Sequence, residues 1–381
     1  MKFSDIISHE SAKNRLRGFV DSGRIPHAIL LEGQPGIGKF ALARAFAQYV
    51  HCENRINGDS CGCCPSCIQH QSFNHIDTHF IFPIIKKGNG KSAISDDYIE
   101  EWREFMSQNP FMDFDKWLTL LDNINAQPHI FVDESIDLIR KLNYTAHKAK
   151  YKVVLLWLPE RMKLECANKL LKLIEEPFSD TLFVMVANDS KQILPTIYSR
   201  TQRIEMLRLG DDAIANYLVD KYASDAATAL SIAHLSEGNI NKAEKEFAIS
   251  KEKSQFFEMF VELMRLAYQR KIQDLKRWSN DAASLGREPA IQFLSYCQRL
   301  IRENFIYNLN INELNYMNKS EAQFSVNFAR FITERNVQKL IDVINKAQID
   351  ISGNANSKIV FFDLSIKVIF LSLIGLIFFL L

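Results

Sequence analysis

The spacing of apolar residues changes along the chain. In the first 190 residues, continuous apolar runs at 27–31, 153–158 and 182–187 alternate with stretches of helical spacing at 39–50, 132–142 and 166–174. Continuous runs of this length are typical of strands that are buried on both faces. Strands separated by helices predict an α/β fold with a parallel sheet.

From about residue 208 onward the strand-like runs disappear, and helical periodicity continues with polar breaks near Gly210, Gly238 and Gly286. This part of the chain is predicted to be all-helical. Residues 86–127 fit neither pattern. We interpret them as an insertion on the α/β domain that holds one helix, from Asp96 to Met106.

The end of the chain is unusually apolar. Its last 14 residues, Val368 to Leu381, carry no charge. A membrane-spanning helix needs roughly 17 to 25 apolar residues, and extending the run backwards brings in Lys367 and Asp363. A buried terminal helix is therefore favoured over a tail anchor, and an altered C-terminus is a further alternative.

Length and charge limit the classes of function. At 381 residues the chain has room for two or three domains. Its 46 Lys and Arg balance 45 Asp and Glu, so that no overall basic field attracts a polyanion, and a stand-alone DNA-binding module is disfavoured. The first 20 residues lack the apolar segment of a secretory signal, which predicts a cytoplasmic protein.

The segment 33–39, GQPGIGK, fits the pattern G-x-x-x-x-G-K and lies between a predicted strand and a predicted helix. In loops of this kind, backbone N–H groups surround phosphates and the Lys reaches the terminal ones. The candidate nucleotide-binding residues are Gly33, Gly36, Gly38 and Lys39. A Gly-Pro turn with a solvated Lys is the structural alternative. The next residue should be Ser or Thr to hold Mg²⁺, but it is Phe40.

ATP hydrolysis also needs acidic residues at the end of a neighbouring strand, which hold the metal ion and orient water. The best candidate strand, 153–156, runs into Trp157 and Leu158, and the first carboxylate, that of Glu160, comes two or three residues late. Nucleotide binding therefore stays open, whereas hydrolysis by this chain is not expected.

Five of the seven cysteines lie between residues 52 and 67. Four of them follow the pattern C-x8-C-x2-C-x2-C, namely Cys52, Cys61, Cys64 and Cys67. Four thiolates at C-x2-C spacing predict a structural zinc site, and a reducing compartment makes metal ligation more plausible than disulfides. Cys63 is a nearby thiol whose spacing fits ligation less well.

With these motifs in place, the chain resembles the clamp-loader branch of the AAA+ superfamily over about residues 3–245. Within that branch it is similar to the bacterial delta prime and gamma/tau subunit families of DNA polymerase III. The resemblance rests on the opening segment 3–33, the phosphate loop, the four-Cys module, ANKLLKLIEEP at 167–177, and TLFVMVANDSKQILPTIYSRTQRI at 181–204.

The resemblance implies roles for two more residues. Asn188 falls where the family places its sensor-1 residue, which reads the terminal phosphate. Ser199-Arg200-Thr201 matches the family's Ser-Arg-Cys motif, whose arginine reaches across the subunit boundary to a neighbour's ATP. Arg200 is thus the candidate catalytic residue, acting in trans. A surface Arg in a helix-end turn is the structural alternative.

The departures from the family pattern concern the chain's own ATP site. Trp157 and Leu158 replace the acids, Phe40 replaces the Mg²⁺ ligand, and in the segment 238–241, GNIN, an Asn stands where motor subunits carry the sensor-2 Arg. Arg200, which would serve a neighbour, is retained. This asymmetry resembles delta prime, the stator, more than gamma/tau, the motor.

The implied architecture is an AAA+ domain at 1–207 with a zinc module at 52–67 and the insertion at 86–127, a helical lid at 208–250, and a helical collar at 251–381. The implied assembly is a hetero-pentamer with gamma/tau and delta subunits, which loads the sliding clamp onto primed DNA. Structural zinc is the expected cofactor. Whether ATP also binds is left open, and its hydrolysis by this chain is not expected. No membrane contact is expected.

Two alternatives remain on this evidence. The first is a gamma/tau-like ATPase motor that hydrolyses ATP with unusual residues. The second is a membrane-associated regulator that is tethered by Val368 to Leu381.

Overall fold

The computed structural model describes residues 1–86, 93–121, 127–143, 149–309, 315 and 317–376. The chain forms two compact units, Met1–Phe247 and Ala248–Leu381. The finer boundaries expected near residues 207 and 250 remain predictions.

A five-stranded parallel sheet lies at the centre of the first unit. Its strands are β1 (Ala28–Glu32), β2 (Thr78–Ile81), β3 (Lys152–Trp157), β4 (Thr181–Ala187) and β5 (Gln202–Glu205). Their order across the sheet is β2-β3-β4-β1-β5, and every pairing is parallel. The predicted parallel α/β fold is confirmed. The two short outer strands, β2 and β5, were not predicted.

Helices cover both faces of this sheet. The helices of the first unit, apart from the start of α11 (Ile240–Gln269), are α1 (Glu10–Asp21), α2 (Lys39–His51), α3 (Pro65–Gln71), α4 (Ile99–Gln108), α5 (Phe114–Leu120), α6 (Val132–Leu142), α7 (Leu164–Glu175), α8 (Pro195–Tyr198), α9 (Asp211–Tyr222) and α10 (Ala226–Leu235). Because side chains alternate along a strand, Val153 and Leu155 of β3 join the core that contains α2. Val154 and Leu156 join the core that contains α6 and α7.

The insertion is more structured than its sequence indicated. A short 3₁₀ turn, Ser95–Tyr98, leads into α4, and a second helix, α5, follows. The predicted helix from Asp96 to Met106 is thus present but shifted by about two residues, and α5 was missed. Residues 87–92 and 122–126, at the two ends of the predicted insertion, lie outside the described residues.

The second unit is helical in its described residues, as predicted. It contains the later part of α11 (Ile240–Gln269) together with α12 (Ile272–Ala283), α13 (Arg287–Asn308), α14 (Lys319–Phe328), α15 (Val337–Ser352) and α16 (Ser357–Leu376). Within it α13 packs against α15, and α12 packs against α16. Phe260, Phe293 and Phe361 lie in its core.

The apolar C-terminal run begins inside α16. Leu364 and Val368 are buried in the helical core, as the buried-helix interpretation predicts. Among the described residues, no helix combines the length and the apolar character needed to cross a membrane. Residues 377–381 of the run lie outside the described part of the chain.

Candidate nucleotide and metal sites

The phosphate loop connects β1 to α2, as the sequence predicts. Gly36 and Gly38 have positive φ angles of 74° and 87°, which a residue with a Cβ adopts only under strain. The glycines therefore let the loop curl tightly at the N-terminus of α2.

Lys39 is turned back onto this loop. Its ammonium donates hydrogen bonds to the carbonyl oxygens of Gly33, at 2.7 Å, and Gln34, at 2.5 Å. The side chain is 4% exposed, and burial lowers the pKa of Lys39 to about 7. In this arrangement the Lys39 ammonium is bonded to the backbone of its own loop.

Aromatic side chains fill the positions where magnesium chemistry would need polar ones. Phe40 and Trp157 are each 2% exposed. Both rings pack against Trp102 of α4, with centroid separations of 5.7 Å and 5.2 Å respectively. Phe40 and Trp157 therefore offer a metal ion no oxygen ligand and occupy the space with apolar groups.

Glu160 lies closer to the phosphate loop than its sequence position suggested. One of its carboxylate oxygens accepts hydrogen bonds from the backbone N–H groups of Asn188, at 2.8 Å, and Asp189, at 3.3 Å. Burial raises the pKa of Glu160, and these N–H groups and Lys39 partly offset that effect. The carboxylate thus links the end of β3 to the end of β4 and faces the positive charge of Lys39.

A cavity of about 540 Å³ lies beside these residues. Asn188 and Glu160 line it from the strand ends, and Lys242 lines it from the start of α11. Of the loop 33–39, Pro35 alone contributes to its wall among the described residues. The glycines therefore do not open into this cavity.

Arg200 lies in the turn between α8 and β5. Its guanidinium donates a hydrogen bond to the carbonyl oxygen of Thr196, at 2.9 Å, and forms an ion pair with Glu175 at 2.8 Å. The Arg200 side chain is 41% exposed. A guanidinium held at the surface by one half-exposed carboxylate can exchange that partner for another anion at little cost in free energy.

The four cysteines of the predicted zinc module lie together. Their sulfur atoms are all within 4.8 Å of one another, with 3.6 Å between Cys52 and Cys61 and 3.9 Å between Cys61 and Cys67. Tetrahedral zinc with Zn–S bonds of about 2.3 Å requires sulfur separations of about 3.8 Å. Backbone N–H groups of Cys63 and Cys64 lower the pKa of Cys61 to about 6, whereas burial raises the pKa of Cys52 and of Cys67. The sulfur geometry, and not the acidity of the thiols, is therefore what suits a metal ion.

Residues 8–209 match the model of the protein family described as DNA polymerase III, delta subunit. This match spans more than half of the 381 residues. The chain belongs to this family.

Curated relatives of this delta-family chain include tau subunits of DNA polymerase III. The tau subunit of Bacillus subtilis is 22% identical over an aligned length of 388 residues, and the match covers 96% of this chain and 61% of that protein. The tau subunit of Escherichia coli K12 is 25% identical over an aligned length of 246 residues, and the match covers 63% of this chain and 32% of that protein. The chain thus spans less than two thirds of the length of these relatives.

Solved structures similar to the delta-family chain include a gamma-subunit-related protein from Thermotoga maritima. It has a TM-score of 0.37 and 15% identity, and the match covers 94% of this chain and 99% of that protein. The Bacillus subtilis DNA clamp loader delta protein has a TM-score of 0.33 and 11% identity, with the same coverage. A RuvB mutant of Thermotoga maritima has a TM-score of 0.38 and 13% identity over 66% of this chain and 64% of that one.

The family assignment leaves the individual site residues as predictions. The structure places Gly33, Gly36, Gly38 and Lys39 in one loop and puts Asn188 at the end of the adjacent strand, β4. Arg200 bonds to Thr196 and Glu175. The electrostatic interaction of Glu160 with Lys39 was not predicted from the sequence, because it depends on the pairing of β3 with β4 and of β4 with β1.

A cluster of three histidines in the delta-family chain was also not predicted from the sequence. The ring nitrogens of His51, His70 and His75 lie within 4.8 Å of one another. They come from α2, from α3 and from the segment before β2, so no sequence spacing connects them. His75 stacks on the other two rings at 4.2 Å and 4.4 Å, with interplanar angles of 15° and 23°.

Hydrogen bonding accounts for this histidine cluster. The carbonyl oxygen of Tyr151 accepts from His51 Nε2 at 2.8 Å, so His51 Nδ1 is the acceptor for His70 Nε2 at 2.9 Å. Burial lowers the pKa of His51 to about 3 and of His70 to about 2, so both rings are neutral. Nearly parallel stacked rings direct their in-plane lone pairs side by side and do not make them converge on one ion. The cluster is therefore a packed, hydrogen-bonded part of the fold.

Proposed function

We propose that this chain is a delta prime-type stator subunit of a bacterial clamp loader. In this role it assembles with gamma/tau and delta subunits in a cytoplasmic hetero-pentamer and supports ATP-dependent loading of the sliding clamp onto primed DNA. It does not hydrolyse ATP itself, and it offers Arg200 to the ATP site of a neighbouring subunit.

One asymmetry carries the proposal. The positions needed for the chain's own magnesium chemistry hold Phe40 and Trp157, which are buried against Trp102. Arg200, in contrast, is 41% exposed and held by a half-exposed carboxylate. A chain with an inactive site and an available arginine suits a subunit that assists hydrolysis elsewhere. Membership of the delta-subunit family supports the same role.

The test is the ATPase activity of a reconstituted clamp loader with clamp and primed DNA. The motor subunits should carry substitutions of their own finger arginines, so that the remaining activity reports the site that faces this chain. We expect Arg200→Ala to lower that activity about 100-fold or more while the complex still assembles. Arg203→Ala is the matched control, because Arg203 is an exposed neighbour that bonds Tyr198.

Unchanged activity in the Arg200→Ala complex would remove the trans role. The second candidate is a gamma/tau-like motor, which the similarity to tau subunits favours. ATP turnover by the isolated chain would support that candidate, and none is expected from a stator.

We also propose that the four-Cys cluster holds one structural zinc ion. The ligands would be Cys52, Cys61, Cys64 and Cys67, whose sulfur separations suit a tetrahedral ion. A closed set of four thiolates has no open position, so the metal would stabilise the module and take no part in ATP chemistry.

A further inference from the structure

The described part of the insertion, residues 93–121, forms what we call the docked insertion. Its helices α4 and α5 bring Trp102, Phe105 and Trp117 into the core of the first unit, where each of these side chains has no exposed surface. Trp102 stacks on Phe82 at 3.9 Å, and Trp117 meets both rings edge-on at 5.2 to 5.4 Å. The docked insertion therefore contributes fully buried side chains to the core of the first unit.

The residues that replace the magnesium ligands are the residues that hold this insertion. Phe40 contacts Trp102 edge-on, and Trp157 contacts both Trp102 and Phe105 at 5.2 and 5.8 Å. A hydroxyl at position 40 or a carboxylate at position 157 would lie buried against these rings, where an unpaired polar group is costly. The apolar residues at positions 40 and 157 are therefore also contacts that hold the insertion in place.

The turn between α4 and α5 reaches the phosphate loop. The ring of Phe111 comes within 3.7 Å of the point where a Cβ on Gly38 would lie. The same ring packs edge-on against Tyr217 of α9 at 5.3 Å, and the carbonyl oxygen of Phe111 accepts a hydrogen bond from the Asn241 side chain of α11. One residue of the insertion therefore touches the loop and two of the helices that follow β5.

Ion pairs extend this connection to α11. Lys245 pairs with Asp113 at 3.2 Å and with Asp115 at 3.0 Å. Lys116 lies 3.8 Å from Glu244. The start of α11 is thereby bound to the insertion through both charge and packing.

The segment before α11 also contacts the loop directly. The side-chain oxygen of Asn239 stands 1.9 Å from the point where a Cβ on Gly36 would lie. The backbone N–H of Ile240 donates to the carbonyl oxygen of Gly36 at 3.0 Å, and the Gln34 side chain donates to the carbonyl oxygen of Glu237 at 3.0 Å. Asn239 thus covers Gly36, and Phe111 covers Gly38. A phosphate bound in this loop would have to reach both glycines.

We propose that the docked insertion is an intramolecular strap and that, together with the segment before α11, it also forms a plug. As a plug, Phe111 of the insertion and Asn239 of that segment exclude nucleotide from the phosphate loop. As a strap, the insertion fastens α9 and the start of α11 to that loop without any ligand. The inference concerns the isolated chain and holds whether or not Arg200 serves a neighbour.

The first arm of the test is calorimetric titration of the full chain with ATP and with ADP, with and without Mg²⁺. The plug predicts no binding of either nucleotide at millimolar concentration. Binding at micromolar concentration by the unaltered chain would overturn it.

The second arm is amide hydrogen exchange, which reports local opening. Phe111→Ala and Lys245→Ala should each speed exchange in 33–39 and 240–246 about ten-fold or more. Glu104→Ala is the matched control, because Glu104 lies on α4 and bonds the Gln108 side chain, away from the loop. Unchanged exchange in both variants, with the fold retained by circular dichroism, would overturn the strap. Neither arm measures ring ATPase activity, so the outcome is separate from that of the proposed function.

Discussion

The guanidinium of Arg200 lies 2.8 Å from a carboxylate oxygen of Glu175, the last residue of α7. Both side chains are partly exposed, at 41% and 37%. The two residues come from the segments 167–177 and 181–204 on which the family resemblance rests. If Arg200 acts in trans as proposed, Glu175 holds its guanidinium in place in the isolated chain.

Glu175→Gln should therefore have different effects on the isolated chain and on the assembled clamp loader. In the isolated chain we expect a change of about 0 to 1 kcal/mol in the free energy of unfolding, since exposed ion pairs contribute little. In the reconstituted clamp loader we expect a change of a few-fold in ATPase activity, smaller than that of Arg200→Ala. A loss as large as that of Arg200→Ala would instead assign Glu175 a direct role.

The zinc module makes a prediction about metal content. The full chain should contain one zinc per molecule by elemental analysis, and Cys64→Ser should abolish stoichiometric zinc and lower the melting temperature, because metal binding contributes to folding. Cys63→Ser is the control, since Cys63 is exposed and lies outside the four-sulfur cluster. Equal zinc content in the two variants would contradict the assigned ligand set.

Restoring an acidic residue at position 157 should damage the fold and not revive hydrolysis. Trp157→Asp would place a carboxylate among Trp102, Phe105 and Phe114. We expect the first unit to lose about 3 kcal/mol or more of unfolding free energy in urea denaturation, and ATPase activity to stay absent. Trp157→Phe, which keeps the site apolar, should cost about 1 to 2 kcal/mol. The prediction is wrong if the Asp variant is as stable as the Phe variant.

The buried carboxyl group of Glu134 should make the free energy of unfolding depend on pH. Its carboxylate accepts a hydrogen bond from the Ser95 N–H at 2.6 Å, at the start of the docked insertion. Burial raises the pKa of Glu134 to about 7, although this hydrogen bond acts in the opposite direction. Between pH 4.5 and 7 the folded chain keeps a proton that the unfolded chain has released. The contribution of Glu134 to stability is therefore present below pH 4.5 and is lost as the pH rises through 7, by an amount on the order of 3 kcal/mol.

Glu134→Gln should remove this loss, because the amide does not titrate. Urea denaturation at pH 5 and pH 8 measures the difference in unfolding free energy for each chain. We expect the difference to be smaller in the Gln variant, with Glu104→Gln as an exposed control. Parallel pH profiles for all three chains would show that the Glu134 carboxyl titrates as it does in the unfolded state.

Several parts of the fold followed from local patterns. The helix predicted at 132–142 is α6 with the same limits, and the predicted strands at 153–158 and 182–187 are β3 and β4 to within one residue. These elements are long or continuously apolar, so their own residues determine their structure. In contrast, β2 reads THFI and β5 reads QRIE, and such short, polar-containing segments become strands because a neighbouring strand pairs with them.

By itself, the sequence determined the α/β class, the G-x-x-x-x-G-K loop, the four-thiol set and the absence of the magnesium ligands, because each depends on residue type at short spacing. Tertiary structure alone decided that Phe111 would reach Gly38, that Glu160 would face Lys39, and that Arg200 would rest on Glu175. Each of these pairs joins residues that are distant along the chain. Their distances follow from how the sheet and helices pack, and local sequence patterns carry no information about that packing.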